Sequence, residues 1–182
     1  IREIWLLLVC GSLIFVVGLV DDLVSLKPST KLIAQIVVAS ALIFFGYQLQ
    51  WTESASLRIV LTLVWIVGII NALNLIDNMD GLCGGIGLIA AAALLAVAAP
   101  QTAMSSTTLY LALLLGATGG FLVYNVHPAS IFLGDSGSLF IGLSLAATSI
   151  RLSRFGVESN LLSVIAAPVL VLLIPIFDRS EE

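Results

Sequence analysis

Charged residues are scarce in this sequence, and so are the residues that bind zinc and similar metals. Only 10% of the 182 residues are charged, whereas 60% are hydrophobic, a balance that soluble globular domains do not show. Two cysteines and one histidine are too few for the Cys and His clusters that hold zinc. The sequence therefore predicts an integral membrane protein surrounded by membrane lipids, with neither a nucleic-acid partner nor a zinc-type centre.

Hydrophobic runs divide the chain into about seven segments that are separated by short connectors. A helix needs about 20 residues to cross a bilayer, and most of the runs approach that length. We therefore predict an all-α fold, a polytopic transmembrane helix bundle in which residues 1–182 form a single integral-membrane domain, cut at both ends. The seven segments are Ile4–Val20, Leu32–Tyr47, Leu57–Leu73, Leu82–Ala99, Thr107–Val126, Gly137–Ile150 and Leu161–Phe177.

Small residues recur near and inside the hydrophobic runs, as in Gly81-Leu-Cys-Gly-Gly85 and Gly116-Ala-Thr-Gly-Gly120. Such residues let membrane helices approach one another closely. Packing within the chain is the default interpretation of this pattern, and a homodimer is the alternative. Cys10 and Cys83 lie in or beside apolar runs, so we interpret them as packing residues rather than as a disulfide.

One polar stretch comes directly after the third hydrophobic run: Asn71-Ala-Leu-Asn-Leu-Ile-Asp-Asn-Met-Asp-Gly81. Ionisable side chains at the end of a membrane segment usually face a packed interior or a watery cavity, and they indicate function. If the stretch is helical, its polar residues recur every three positions and share one broad face, from which Asp77 and Asp80 project together. Gly81 then allows a turn or a close approach to a ligand.

The number of membrane crossings predicts that the other carboxylates lie on the same side. If every segment spans, the connectors after the first, third, fifth and seventh segments share one face of the membrane. The opposite connectors carry only Glu53 and Glu158. The sequence therefore predicts a one-sided, carboxylate-lined site. The motif carboxylates in those four connectors are Asp21, Asp22, Asp77, Asp80, Asp135 and Asp178.

Clustered carboxylates suit a hard divalent cation that prefers oxygen ligands. Mg²⁺ commonly joins a few carboxylates to substrate phosphates, and Mn²⁺ is the alternative. Glycines flank Asp135 in Gly134-Asp-Ser-Gly-Ser138 and permit a tight turn whose backbone amides and serine hydroxyls face a phosphate. We therefore expect a site for a metal ion and a phosphorylated substrate.

Three motifs, in order and spacing, resemble those of the polyprenyl-phosphate N-acetylhexosamine-1-phosphate transferases. They are Gly18-Leu-Val-Asp-Asp22, the stretch 71–82, and Pro128-Ala-Ser-Ile-Phe-Leu-Gly-Asp-Ser-Gly-Ser138. Pro175-Ile-Phe-Asp178 looks like a fourth, shorter one. The resemblance covers nearly the whole chain, and together the motifs are highly specific.

This resemblance implies the transfer of a sugar 1-phosphate from a UDP-sugar to polyprenyl phosphate, such as undecaprenyl phosphate, in the bilayer. UMP is released, and the reaction is a first membrane step of cell-envelope polysaccharide synthesis. N-acetylglucosamine 1-phosphate is the favoured group, and the phosphorylated muramoyl-pentapeptide is the alternative. The resemblance also implies a multi-pass protein of the plasma membrane with its site on the cytoplasmic face.

Residue roles follow from the same resemblance. The expected catalytic residues are Asp21, Asp22, Asp77 and Asp80. Asp135 is expected to bind Mg²⁺ with Asp22. The residues expected to contact substrate are Lys31, Asn71, Asn74, His127, Ser136 and Asp178.

A membrane protein of another class remains an alternative to the enzyme. Carboxylates within the membrane also carry protons and cations, as in ion-coupled transporters. Transporter carboxylates tend to lie near the middle of the bilayer, whereas the motif carboxylates here lie at segment ends. The sequence therefore favours an enzyme at the membrane interface.

Overall fold

The computed structural model describes residues 2–101 and 105–153, which form six α-helices with no β-strand among them. The predicted all-α fold is confirmed. The seventh predicted segment, Leu161–Phe177, lies outside the described residues, so the predicted number exceeds the six helices that the structure shows. The helices are α1 (Arg2–Val24), α2 (Pro28–Phe44), α3 (Ala55–Ile76), α4 (Leu82–Gln101), α5 (Ser106–Asn125) and α6 (Gly134–Ser153).

Four of these helices are long and apolar enough to cross a membrane, judged by length and composition. Helix α2 is also apolar but shorter, with 17 residues. Many large hydrophobic side chains are exposed on the outside of the bundle, where hydrocarbon rather than water would surround them. The chain is therefore a multi-pass membrane protein. The four candidate spans are Ile4–Val24, Ala55–Ile76, Leu82–Pro100 and Ser106–Asn125.

Helix α6 occupies the centre of the bundle. Residues 141–150 are all buried, and the helix packs against α1, α3 and α4. Its middle is rich in Gly, Ala, Ser and Thr, which let neighbouring helices approach closely. A Cβ atom added at Gly142 would lie 2.7 Å from the Cα of Ile70 in α3, so this crossing requires glycine.

Two hydrophobic clusters pack on different faces of α6. Leu139, Leu143 and Ile150 belong to the cluster shared with α1, α2 and α3. Ile141 and Leu145 belong to the cluster shared with α3, α4 and α5. Residues two apart in a helix point about 200° apart, which explains how one helix serves both clusters. The core therefore holds α6 from both sides and fixes the position of its first turn.

The two ends of α6 lie at opposite ends of the bundle. Near its start, Asp135 contacts Lys31 in the first turn of α2 and Asn74 near the end of α3. Near its end, the guanidinium of Arg151 lies over the ring of Tyr47, 5.7 Å from the ring centroid, beyond the end of α2. The direction of α6 thus matches that of α2 and opposes that of α3.

Two of the helices that extend beyond their predicted segments do so at carboxylates. Helix α1 continues beyond Val20 to Val24, so Asp21 and Asp22 belong to its last turns. Helix α6 begins at Gly134 rather than Gly137 and has 20 residues. Hydrogen bonds between these two helix ends, described below, account for both extensions.

Candidate functional site

Three connectors meet at one end of the bundle. The Asp22 carboxylate at the end of α1 accepts a hydrogen bond from the Asp135 amide at the start of α6. The side chain of Asn74, near the end of α3, donates to the Asp135 carboxylate. In the next connector the Gly81 amide donates to Asn125 at the end of α5. The predicted convergence of the first, third and fifth connectors is confirmed, and the seventh lies outside the described residues.

Lys31 joins two carboxylates at the centre of this site. Its Nζ lies 2.7 Å from Asp21 Oδ2 and 2.6 Å from Asp135 Oδ2. The other oxygen of Asp135 accepts a hydrogen bond from Asn74 Nδ2 at 2.8 Å, and the same nitrogen donates to Ser138 Oγ at 3.0 Å. Each oxygen of Asp135 therefore has its own partner, and the two partners come from different helices.

The turn between α1 and α2 places Lys31 opposite Asp21. Ser25 has a positive φ of 54°, which reverses the chain, and the Leu26 amide donates to Asp21 Oδ1. Pro28 then begins α2 at a position where a missing amide hydrogen has no cost. Lys31 consequently lies in the first turn of α2, next to the last turns of α1.

Asp22 binds the first turn of α6. Its two oxygens accept hydrogen bonds from the Asp135 amide at 2.8 Å and the Ser136 amide at 3.1 Å. A carboxylate is favourable there because the first amides of a helix have no partner within the helix and carry partial positive charge. In this structure these two amides thus bind Asp22, and the expected contact of the turn with a phosphate stays a prediction.

Two glycines make this contact between α1 and α6 possible. A Cβ atom at Gly18 would lie 2.5 Å from the Cα of Ser136. Gly134 has a φ of +66°, and a Cβ atom there would lie 2.9 Å from an oxygen of Asp22. The predicted tight turn beside Asp135 is confirmed, and its role is to bring Asp22 onto the helix start.

Asp77 follows directly after α3 and is half-buried. Its pKa is raised to about 6, chiefly by loss of hydration and also by the nearby negative charges of Asp135 and Asp22, against the opposing effect of a hydrogen bond from the Gly134 backbone. The side chain thus lies among the other carboxylates at the start of α6. Burial and the neighbouring carboxylates thus disfavour the charged form of Asp77.

Asp80 and Asp77 do not share a helical face, as they would if the whole stretch were helical. Helix α3 ends at Ile76, and the following residues form a turn in which Gly81 has a φ of +75°. Asp80 Oδ2 accepts a hydrogen bond from the Ala129 amide at 3.2 Å and lies 3.1 Å from His127 Nδ1. The prediction extended the helical period past the point where the helix ends.

Asn71 also lies away from the carboxylates. Its Nδ2 donates to Gln35 Oε1 in α2 at 2.6 Å and to the Val67 carbonyl oxygen at 2.8 Å. The side chain thus contacts the neighbouring helix rather than an open site. Its predicted contact with substrate is not tested.

The residues that make these polar contacts therefore form two groups, which we name by their position. The inner cluster comprises Asp21, Asp22, Lys31, Asn74, Asp77 and Asp135. The outer cluster comprises Asp80, Asn125, His127 and Ala129.

Three residues of this region were missed by the sequence predictions. Gln35 is a buried amide in an apolar helix, and its position four residues after Lys31 was a usable signal. Ser138 belongs to the Gly-Asp-Ser-Gly-Ser motif and accepts from Asn74. Asn125 is buried at the end of α5, where its Oδ1 accepts from the Gly81 amide and its Nδ2 donates to the Ile131 carbonyl oxygen. Asp178 lies outside the described residues.

The inner cluster has the oxygen donors that a hard cation prefers. Among the residues that the structure describes, no group of three or more His, Cys, Asp or Glu residues is placed to hold a metal ion. Mg²⁺ nevertheless binds commonly through one or two carboxylates and substrate phosphates. The oxygens of Asp22 and Asp135 have further lone pairs beyond the hydrogen bonds they accept. The donor set therefore fits Mg²⁺, although it does not enclose one.

Known proteins are similar to this chain in sequence. The chain is 38% identical over 180 residues to the probable undecaprenyl-phosphate N-acetylglucosaminyl 1-phosphate transferase of Bacillus subtilis (strain 168), covering 92% of this chain and 48% of that protein. It is 36% identical over 200 residues to the decaprenyl-phosphate N-acetylglucosaminephosphotransferase of Mycobacterium tuberculosis (strain CDC 1551 / Oshkosh), covering 94% of this chain and 49% of that protein.

A second branch is also similar. The phospho-N-acetylmuramoyl-pentapeptide-transferase of Limosilactobacillus reuteri (strain DSM 20016) is 34% identical over 168 residues, covering 83% of this chain and 52% of that protein. The chain thus spans about half the length of the curated relatives it matches. The model of glycosyl transferase family 4 matches residues 4–153, which include both clusters and all six described helices except the first two residues of α1. The chain belongs to glycosyl transferase family 4.

Proposed function

We propose that the protein transfers a sugar 1-phosphate, N-acetylglucosamine 1-phosphate in the favoured case, from a UDP-sugar to a polyprenyl phosphate in the membrane. The reaction releases UMP and leaves the sugar on a polyprenyl diphosphate. It would serve cell-envelope polysaccharide synthesis at the cytoplasmic face of the plasma membrane, where UDP-sugars are available.

One observation carries this proposal: Lys31 bridges Asp21 and Asp135 where three connectors meet. A lysine ammonium held among carboxylates provides both signs of charge at one place, as reactions of phosphates require. The place is the end of membrane helices, where a lipid phosphate and a water-soluble nucleotide can meet. An ion-coupled transporter would instead need its carboxylates within the membrane.

The names of the relatives support the substrate classes. The similar proteins of Bacillus subtilis and Mycobacterium tuberculosis are named for polyprenyl-phosphate acceptors and an N-acetylglucosamine phosphate group. The similar protein of Limosilactobacillus reuteri is named for a muramoyl-pentapeptide group. The higher identities belong to the first two, which favours N-acetylglucosamine.

In the proposed reaction, an oxygen of the lipid phosphate forms a bond to the phosphorus atom that carries the sugar. The bond from that phosphorus to the oxygen shared with UMP breaks, and UMP leaves with its electron pair. Lys31 would neutralise phosphate charge, and Asp21 would hold Lys31 in place. Asp77, with its pKa raised to about 6, can hold or release a proton near neutral pH.

Asp135 and Asp22 would hold Mg²⁺, with Mn²⁺ as a substitute. When bound there, the cation would reduce the negative charge of the diphosphate so that an anionic lipid phosphate can approach. Asn74 would keep the Asp135 carboxylate in one orientation through its hydrogen bond to Oδ1.

The outer cluster would bind the part of the donor that lies farther from the lipid. His127 is exposed over 83% of its side chain, so it is accessible to a soluble substrate. Asp80 fixes the loop that carries His127 through its contacts with that loop.

The experiment is an assay of UMP release by the protein as its gene encodes it, with UDP-N-acetylglucosamine and undecaprenyl phosphate, with and without Mg²⁺. We expect release that needs both the lipid and the cation. Activity with another UDP-sugar, such as the UDP-muramoyl-pentapeptide, would transfer the assignment to that branch. Absence of release with every UDP-sugar, from protein that is folded in detergent, would contradict the proposal.

A further inference from the structure

A second polar contact joins α2 and α3 below the inner cluster. Gln35 in α2 is only 1% exposed, and its Oε1 accepts a hydrogen bond from Asn71 Nδ2 at 2.6 Å. In return, Gln35 Nε2 lies 3.4 Å from Asn71 Oδ1. The two amides thus pair with each other inside an otherwise apolar region, where an unpaired amide would be costly.

Each amide lies on the same helix face as a residue that holds Asp135. Lys31 and Gln35 are four residues apart in α2, and Asn71 and Asn74 are three residues apart in α3. Residues at these spacings are neighbours on a helix surface. Helices α2 and α3 are therefore connected at two levels. At the lower level the two amides contact each other directly, and at the upper level Lys31 and Asn74 both contact Asp135 of α6.

The upper level depends on the orientation of both helices. Lys31 reaches Asp135 Oδ2 at 2.6 Å, and Asn74 reaches Oδ1 at 2.8 Å. A rotation of α2 relative to α3 would move one partner away from its oxygen. The apolar neighbours of Gln35 do not specify that rotation closely, since they present no directional contacts.

We propose that Gln35 is a positioning residue that, through Asn71, sets the relative rotation of α2 and α3 and thereby the two contacts of Asp135. The pair has the geometry for this role, since Asn71 Nδ2 also donates to the Val67 carbonyl oxygen of its own helix at 2.8 Å. The orientation of the Asn71 amide is thus fixed on one side by α3 and on the other side by α2. The proposal rests on the proposed function where it concerns turnover.

The test uses variants that keep the side-chain shape and remove the hydrogen bonds. Gln35→Met and Asn71→Leu should each lower kcat about tenfold, since small displacements at a reacting centre are costly, and change either KM less than about twofold. Each should also lower Tm, because a buried amide loses its partner. Gln48→Met is the matched control, since Gln48 donates to the Ile43 carbonyl oxygen and lies beyond the end of α2 away from the inner cluster. It should leave kcat unchanged.

The double variants separate positioning from stability. Gln35→Met with Asn71→Leu removes both amides, so Tm should recover because no buried group is left unpaired. If the pair positions Asp135, kcat should stay about tenfold low despite this recovery. The exchanged pair, Gln35→Asn with Asn71→Gln, should restore kcat as well as Tm. Recovery of kcat together with Tm in the apolar double variant would overturn the proposal.

A readout without activity keeps the two proposals distinguishable. Nitroxide spin labels at Ile33 and Leu75, both exposed on the outside of their helices, report the distance between α2 and α3. The distribution of distances should be broader in Gln35→Met than in the parent and in Gln48→Met. Equal distributions would overturn the positioning role. Absence of UMP release from every UDP-sugar with this broadening intact would overturn the proposed function alone.

Discussion

The inner and outer clusters contain similar side chains, but their acids are held in different ways. In the inner cluster, Asp135 is contacted by side chains from α2 and α3, and Asp22 joins it from α1. In the outer cluster, Asp80 contacts a loop whose His127 is exposed over 83% of its side chain. Helices fix a carboxylate, whereas loops let it move with a ligand. This difference supports the proposal that the inner cluster acts on the reacting phosphates and the outer one binds the variable part of the donor.

The largest expected effect comes from Asp135→Asn, which tests directly whether the inner cluster contributes more to turnover than the outer cluster. The amide keeps the shape but removes the charge that faces Lys31, so kcat should fall about 10²–10³-fold, as for the loss of a preorganised electrostatic contact. The matched change Asp80→Asn in the outer cluster should cost less than about tenfold. Both are measured by initial rates of UMP release at saturating substrates. Equal losses would show that the two clusters contribute alike.

The next effect tests whether close packing maintains the inner cluster. Gly18→Ala places a Cβ atom 2.5 Å from the backbone of Ser136, so α1 must shift away from α6. A misplacement of about 1 Å can cost about 10²-fold, and we expect a loss of that order in kcat/KM. Gly116→Ala is the control, because a Cβ atom there meets nothing within 4 Å. A Gly18→Ala protein with parental activity would mean that the contact between Asp22 and α6 does not matter for turnover.

Asp77→Asn should separate the effect of an inner-cluster acid on stability from its effect on activity. The folded state raises the pKa of Asp77 to about 6 from its ordinary value of 3.8. The folded state therefore binds this proton more tightly, and its relative stability falls as the pH rises between these two values. Above pH 6 the charged carboxylate destabilises the fold, so the neutral amide should raise Tm by a few degrees at pH 8 and by less at pH 4.5, measured with a chelator present.

Turnover should respond in the opposite direction. Asp77→Asn should lose most UMP release at pH 8 although it is the more stable protein. The proposed function requires the Asp77 carboxylate, even though its charge lowers the stability of the folded protein. A variant with unchanged Tm at pH 8 would contradict the burial of this charge. A more stable variant with full activity would remove Asp77 from the proposed catalytic set.

The smallest effect is expected at His127. An exposed polar contact contributes at most about 1 kcal/mol, so His127→Ala should lower kcat/KM for the UDP-sugar by no more than about fivefold. The KM for the lipid phosphate should not change. A loss as large as that of Asp135→Asn would place His127 among the reacting groups and would erase the distinction between the clusters.

The sequence predicted which residues meet but not which atoms pair. Asp22 and Asp135 are 113 residues apart, and the count of membrane crossings was enough to predict that their connectors converge. The contact itself depends on Gly18 and Gly134, whose significance appears only when two helix ends are brought together. A local sequence motif does not show that the end of α1 and the start of α6 lie close together.

One error came from a helix end. Asp80 was assigned to the face of Asp77 because the three-residue period continues in the sequence, whereas the chain turns after Ile76. Asn71 begins the same motif, and its contact with substrate stays a prediction; its partner in the structure, Gln35, belongs to another helix. Polar residues within apolar helices, such as Gln35, were the available signal, since each needs a partner in the membrane.

The burial of α6 bears on how the protein is made. Among the described helices of 18 or more residues, α6 is the one that does not qualify as a span by hydropathy, and its neighbours rather than lipid surround it. A nascent segment of such composition is a poor substrate for insertion when it stands alone, since its Ser and Thr residues gain little from hydrocarbon. We expect its insertion during translation to depend on α1, α3 and α4, which leave the ribosome earlier. Asp135 would thus enter the membrane on a helix that can take its final position only after its neighbouring helices have assembled.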